Sequence, residues 1–351
     1  MKIALLTIWH EHNFGAYLQT YATIRALREM GHEVSLIDYR LNDSSRHPGL
    51  KERLQTAITQ LSPEARMFER SWKRFPRTKY YRSLSELRED PPKADLYLVG
   101  SDQVWNPNIT RYKAATFFLP FGDERIARAS YASSLGSDVW TGNEKLTTLA
   151  ATQLPKFKAI SCREQEGANA LSTLFHQEVH WVLDPSLLHA DYHEFTGDLT
   201  LSDTLAYYEL YPIAPLRQLA MEVARQMNLT YKSASERTKL MGKIPWRRTS
   251  ISSWIRTIAQ SQFVVTHSFH GVALSVLYQR PFMVVYPKAD RRSTRITGLL
   301  QALGLSSRFF SSYEEALASH IWEKEIDYKQ VGQKLESLRH TSLEFLHSLQ
   351  S

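Results

Sequence analysis

Apolar positions recur along the chain in two periods, and their alternation predicts an α/β protein. Residues 2–9, KIALLTIW, form a short apolar run of the kind buried on both faces of a parallel sheet. A polar loop at 10–15 follows. Apolar residues then fall at Leu18, Tyr21, Ala22, Ile24 and Leu27, one face of a helix over 17–30. Gly31 stands where helices commonly end on a left-handed residue, and 33–39 reads as a second strand. Strand, helix and strand in that order imply a right-handed crossover and a Rossmann-like opening.

Residues 41–92 lose this regularity. Weak helical periodicity at 50–61 and 67–75 reads as an irregular helical insertion. Strands are predicted again at 95–100, 126–133, 159–162 and 180–184, with helices at 142–154 and 166–175. The second half repeats the alternation: strand 204–210, helix 215–227, strand 229–233, helix 250–260 with Ser252 as its candidate cap, strand 263–266, helix 271–277 and strand 281–286. The pattern predicts two Rossmann-like domains facing across a cleft, 1–190 and 191–322, with the linker near 185–200. A last helix over 323–349 is expected to pack back on the first domain.

Composition narrows the class. At 351 residues the chain exceeds the usual size of a single core, which supports two domains. No apolar run approaches the roughly 20 residues that span a bilayer. The first run lacks a small-residue cleavage site and reads as a strand rather than a signal peptide. A single cysteine, Cys162, excludes an internal disulfide framework and a cysteine-based zinc site, and fits a cytoplasmic setting. The net charge of +7 is spread along the chain without a nucleic-acid-binding motif. It points to anionic small molecules or the inner face of a membrane rather than to nucleic acid.

In open α/β sheets, ligands bind where strands run into loops at their carboxyl ends. Four such loops carry chemistry. In the first, His10-Glu11-His12 has the residue types of a metal site, although residues ahead of a helix also serve as caps. In the second, Gly100 permits close backbone approach. Ser101 and Asp102 are either caps for the next helix or, with Gln103 and Asn106, binders of substrate hydroxyls. In the third, Arg163 either pairs with a nearby acid or presents its planar fork to a phosphate or carboxylate. The fourth, at 266–271, delivers His267, Ser268 and His270 to a strand end, and Gly271 opens a helix. N–H groups at that helix start suit an anion, and His270 exchanges a proton near neutral pH. Lys288 and a basic stretch with Arg291, Arg292 and Arg295 follow. There is no Gly-x-Gly-x-x-Gly, P-loop or Gly-x-Ser-x-Gly pattern.

In order along the chain, NFGAYLQTYA at 13–22, GSDQVWNP at 100–107, SYASSLG at 130–136, SCRE at 161–164, VLDPSLL at 182–188 and THSFHG at 266–271 resemble the polysaccharide pyruvyltransferase family. The resemblance covers residues 1 to about 305. It implies a glycosyltransferase-B-like fold, phosphoenolpyruvate as co-substrate with no further cofactor and no metal, and a sugar or lipid-linked oligosaccharide as acceptor. The pyruvyl group becomes a cyclic ketal on a cell-surface glycan or its precursor, and phosphate leaves. By motif, His270 is the general acid. Arg163, Lys288, Ser268 and Gly271 fall on the donor side, in the second domain except for Arg163. Asn13, Asp102, Gln103 and Asn106 fall on the acceptor side. Two alternatives stay open on the residues alone: a glycosyltransferase using a nucleotide-sugar donor, and a non-catalytic glycan-pathway binding protein.

Overall fold

The computed structural model describes residues 1–41, 62–236, 238–240, 244–246, 249–286 and 293–350. The first apolar run forms β1 (Lys2–Leu6), buried from its second residue onward. Asn13 caps α1 (Phe14–Glu29), its Oδ1 accepting from Gly15 N at 2.8 Å and Ala16 N at 3.2 Å. Those contacts satisfy first-turn donors that have no intrahelical partner. Gly31 turns the chain at φ 84° into β2 (Glu33–Tyr39).

The segment expected to be a helical insertion contains a strand. α2 (Pro63–Trp72) and α3 (Leu84–Glu89) flank β3 (Arg77–Tyr81), which pairs parallel with β2. β3 is an edge strand with the sequence RTKYY, and only Tyr81 is fully buried. An exposed edge lacks the apolar run that makes inner strands visible in a sequence. Residues 42–61 lie outside the described residues.

β4 (Leu96–Val99) and β5 (Ala127–Ser130) complete a parallel sheet of order β3-β2-β1-β4-β5. After α4 (Glu144–Gln153), a parallel pair of short strands, β6 (Ser161–Cys162) and β7 (His180–Trp181), brackets α5 (Gln165–Phe175). Single bridges from Ala129 to Ala159 and from Ser133 to Cys162 join β6 to the edge of this sheet.

The second sheet begins with β8 (Thr204–Tyr208), α6 (Ala214–Gln226) and β9 (Thr230–Ser233). Where the first sheet adds a third parallel strand, the described chain makes an antiparallel pair, β10 (Thr238–Leu240) with β11 (Ile244–Trp246). α7 (Ile251–Gln260) is capped by Ser250, which accepts from Ser253 N at 3.0 Å, and not by Ser252. β12 (Phe263–Thr266), α8 (Phe269–Leu277), β13 (Phe282–Val285), α9 (Thr294–Leu303), β14 (Phe309–Phe310), α10 (Tyr313–Ala318) and α11 (Tyr328–Ser348) follow. This sheet is also parallel, with order β14-β13-β12-β8-β9. Among the described residues it has the doubly wound order without the third strand.

The chain divides into two units, each with its own apolar core. One takes residues 1–45, 72–189 and 335–351; the other takes 46–71 and 190–334. The described stretch 62–71, placed with the first domain on sequence grounds, therefore groups with the second. The end of α11 belongs to the first unit. Ser342 Oγ accepts from Leu183 N at 2.9 Å, Arg339 Nε donates to Leu187 O at 3.0 Å, and Phe345 lies 6.2 Å from Tyr131. Among the described residues, no helix is long and apolar enough to cross a membrane.

Candidate active site

Strand order reverses once in each sheet, between β1 and β4 in the first and between β8 and β12 in the second. Ligands of such sheets bind outside the carboxyl ends at this switch point. The loops singled out from the sequence lie at these two places.

In the first unit the exits of β1 and β4 are pressed together. Thr7 Oγ1 donates to Ser101 O at 2.6 Å, and a Cβ on Gly100 would meet Leu5 Cδ1 and Thr7 Cβ at 3.0 Å. A larger residue there would need the Leu5 and Thr7 side chains to give by a few tenths of an ångström. Bridges from Asp102 to Ser133 and from Ser133 to Cys162 bring the loops after β4, β5 and β6 side by side. Four motifs far apart in sequence, at 100–107, 130–136, 161–164 and 182–188, thus meet in one place.

Arg163 stands at their centre, with none of its side chain exposed. Its guanidinium reaches Asp184 Oδ2 at 2.7 Å, Asp102 Oδ1 at 3.4 Å and Glu164 Oε1 at 3.4 Å, and Nη1 donates to Ser101 Oγ at 3.3 Å. Burial alone would weaken its hold on a proton, but the carboxylates of Asp184, Glu164 and Asp102 push its pKa up. Arg163 is thus paired with acids, one of the two roles its place in the sequence left open, and none of its side chain is exposed. Around it, Ser101 Oγ donates to Asp184 Oδ2 at 3.0 Å, Asp184 Oδ1 accepts from Ser186 Oγ at 2.6 Å, and Ser134 Oγ donates to Glu164 Oε1. Burial also pushes the neighbouring Cys162 thiol well up, and the charge of Glu164 adds to this.

The structure brings three of the four expected acceptor-side residues into one loop. Asp102 has a left-handed backbone at φ 80°, a conformation uncommon in residues other than glycine, and its side chain is 17% exposed. Neither it nor Ser101 caps the following helix. Asp102 Oδ1 accepts from Gln103 N at 2.8 Å, and Asn106 caps the next turn through Asn108 N at 3.0 Å. Asn106 Nδ2 donates to Gln103 Oε1 at 2.8 Å. Gly136 closes over this amide pair at φ 69°, where a Cβ would stand 2.1 Å from Gln103 Oε1. Asn13, exposed at the start of α1, lies at the exit of β1 and serves as the cap. His10 and His12 place their rings 4.1 and 5.7 Å from the Trp72 ring.

In the second unit the exit of β12 is equally constrained. Thr266 Oγ1 donates to Tyr208 O at 2.7 Å and accepts from Ser268 N at 3.0 Å. His267 is buried, its Nε2 accepting from Leu210 N at 3.4 Å and its ring 4.7 Å from Tyr211. These contacts tie the loops after β8 and β12 together at the switch point. Ser268 occupies the N-cap of α8 but makes no cap bond. Its Oγ is fully buried and has no hydrogen-bond partner among the described residues. The first intrahelical bond of α8 runs from Val272 N to Ser268 O at 3.1 Å, so the N–H groups before it have no partner within the helix. His270 sits in that first turn, 7% exposed, with its ring edge-on to Phe269 at 5.4 Å. Lys288, Arg291 and Arg292 lie outside the described residues. Arg295 is buried on α9.

The sequence offered Arg163 pairing with a nearby acid, but not that Asp102, Glu164 and Asp184 would all gather around it. Each acid stands at or just after a strand end, and nothing within a single motif tells which of the others it will meet.

Residues 13–288 match the family described as polysaccharide pyruvyl transferase. No curated protein sequence gives a significant match. Among solved structures, the chain is similar to a putative UDP-N-acetylglucosamine 2-epimerase from Listeria monocytogenes, with 12% identity, a TM-score of 0.52 and coverage of 95% of this chain and 91% of that one. It is also similar to the UDP-GlcNAc 2-epimerase of Methanocaldococcus jannaschii, with 10% identity, a TM-score of 0.52 and coverage of 97% and 99%. At such identities the likeness is one of fold, and the fold is glycosyltransferase-B-like.

Proposed function

Because the chain belongs to the polysaccharide pyruvyl transferase family, we propose that it moves the pyruvyl unit of phosphoenolpyruvate onto two hydroxyls of one sugar, closing a cyclic ketal and releasing phosphate. The observation that carries this reading is the buried Ser268 hydroxyl at the N-cap of α8, without a partner among the described residues and two residues before His270. A buried hydroxyl in that state favours a ligand that bonds to it. The first-turn N–H groups of α8, including that of Gly271, favour an anion there.

In this reading the phosphate or carboxylate of the donor rests against Ser268 and the start of α8, and Lys288 supplies further positive charge. His270, as imidazolium, protonates the methylene carbon of the donor, which becomes the methyl group, and C2 takes up cationic character. One sugar hydroxyl adds to C2 and gives up its proton. Phosphate leaves, and a second hydroxyl closes the ketal and loses its proton in turn. Of the two protons lost, one balances that spent on the methyl group and the other leaves with phosphate or solvent. Asp102, Gln103 and Asn106, with Asn13, hold the sugar hydroxyls. Arg163 acts through Asp102 as a positioning residue.

Thermal-shift measurement comparing phosphoenolpyruvate with nucleotide sugars tests the donor. Stabilisation by phosphoenolpyruvate that is lost in Ser268→Ala is expected. Stabilisation by a nucleotide sugar alone would replace this reading with that of a glycosyltransferase.

A further inference from the structure

The three carboxylates that face Arg163 are not equivalent. The side chains of Asp184 and Glu164 are wholly buried, whereas that of Asp102 is 17% exposed. Asp184 is also the close partner of the guanidinium, at 2.7 Å against 3.4 Å for Asp102. Asp102 is thus the member of the group with an edge toward solvent. Its backbone is fixed at φ 80°, because its carbonyl accepts from Val104 N at 2.7 Å and from Ser134 N at 3.0 Å. A left-handed conformation in a residue other than glycine persists where the surroundings impose it, and such residues cluster at functional sites.

Only one end of this carboxylate is engaged. Oδ1 accepts from Gln103 N at 2.8 Å and lies 3.4 Å from Arg163 Nη2, while Oδ2 makes no hydrogen bond among the described residues. The next side chain is held in the complementary sense. Asn106 Oδ1 accepts from Asn108 N at 3.0 Å, which leaves Nδ2 as the end that donates to Gln103 Oε1 at 2.8 Å. That bond fixes the Gln103 amide in turn. Its Nε2, a donor of two hydrogens, is the end with no partner among the described residues. An acceptor oxygen and a donor nitrogen therefore stand on consecutive residues at the exit of β4. Two sugar hydroxyls match them, one giving a hydrogen bond and the other receiving one.

We propose that Asp102 is the general base of the transfer, its Oδ2 taking the proton of the attacking sugar hydroxyl while Gln103 Nε2 holds the oxygen of the second. The proposal rests on the pyruvyl-transfer reading. As the O–H bond breaks toward Asp102, the electron pair of the sugar oxygen forms the new bond to C2 of the donor. Asp102 then passes the proton to solvent. After phosphate has left, the second oxygen closes the ketal and its proton takes the same route.

Steady-state assays of phosphate release and ketal formation test the base. They use phosphoenolpyruvate with methyl glycosides, nucleotide sugars and polyprenyl diphosphate sugars as acceptors. Asp102→Asn keeps the shape and tolerates the left-handed backbone. It is expected to lower kcat about a hundredfold, the scale of general base catalysis, with KM for the sugar little changed. Asp102→Gly suits the same backbone, and added formate is expected to restore part of its rate. Gln103→Glu keeps the oxygen that faces Asn106 and replaces the donor with an acceptor. It is expected to raise KM for the sugar about tenfold, the scale of one hydrogen bond. Asp102→Asn at wild-type kcat, a loss confined to KM, or no response of Asp102→Gly to formate would overturn the base and leave the pyruvyl-transfer reading standing. A wild-type chain that forms no ketal on any of these sugars would overturn both.

Discussion

A Cβ on Gly271 would stand 2.5 Å from Thr266 Oγ1, the same oxygen that donates to Tyr208 O at 2.7 Å and accepts from Ser268 N at 3.0 Å. The start of α8 is therefore held by a single hydroxyl that touches the helix, the cap and the neighbouring strand. Gly271→Ala is expected to cost about 1–3 kcal/mol by overpacking and to shift His270 from its place. Thr266→Ala removes the obstructing oxygen, so the double variant should lose less stability than the two single losses added together. Denaturant midpoints of the four proteins measure this coupling. Simple additivity would mean that the two residues do not contend for the same space.

Arg163 gives a prediction of the opposite kind. Its side chain is unexposed and faces Asp184, Asp102 and Glu164. Arg163→Ala leaves buried carboxylates without a counter-charge, at a cost of about 3–5 kcal/mol. The variant should unfold at lower denaturant than wild type. A variant as stable as wild type with a raised KM for phosphoenolpyruvate would return Arg163 to the donor-binding role that its motif implies.

Two tyrosines, one in each unit, contribute to the loss of stability in alkali. Burial pushes the phenols of Tyr39 and Tyr278 up to about 12 from the ordinary value of 10.0. A raised folded pKa means that the neutral form is favoured by folding. This stabilisation is complete below the unfolded value near 10.0 and is lost as pH rises through about 12. Tyr39→Phe and Tyr278→Phe should each flatten the fall in stability across that window while lowering stability modestly at neutral pH. Unfolding midpoints measured in steps across the window decide it; a slope unchanged in both variants would contradict the assignment.

The inner strands and their helices were legible because burial on both faces leaves apolar runs. β12 was read at its observed bounds, and Gly31 was placed as the left-handed stop it is. β3 was not legible, because RTKYY at an exposed edge has no such run. The pairing of β10 with β11 was missed too, in a stretch with no regular apolar period. Of the site, the loops were legible and their contacts were not. Ser268 and His270 stand at the strand end the motif indicated, but the missing partner of Ser268 Oγ is a fact of packing. The fate of Arg163 depended on Asp184, 21 residues further along the chain. Such distant pairs are settled by the fold and leave no periodic trace.

The account stands on His270 delivering a proton to phosphoenolpyruvate. Mass spectrometry of candidate sugar acceptors incubated with phosphoenolpyruvate and the wild-type chain, in parallel with His270→Ala, tests this most directly. The predicted result is a sugar that gains the mass of one pyruvate ketal with wild type, with matching phosphate release, and no gain with a folded His270→Ala protein. Ketal formation by His270→Ala at the wild-type rate would contradict it.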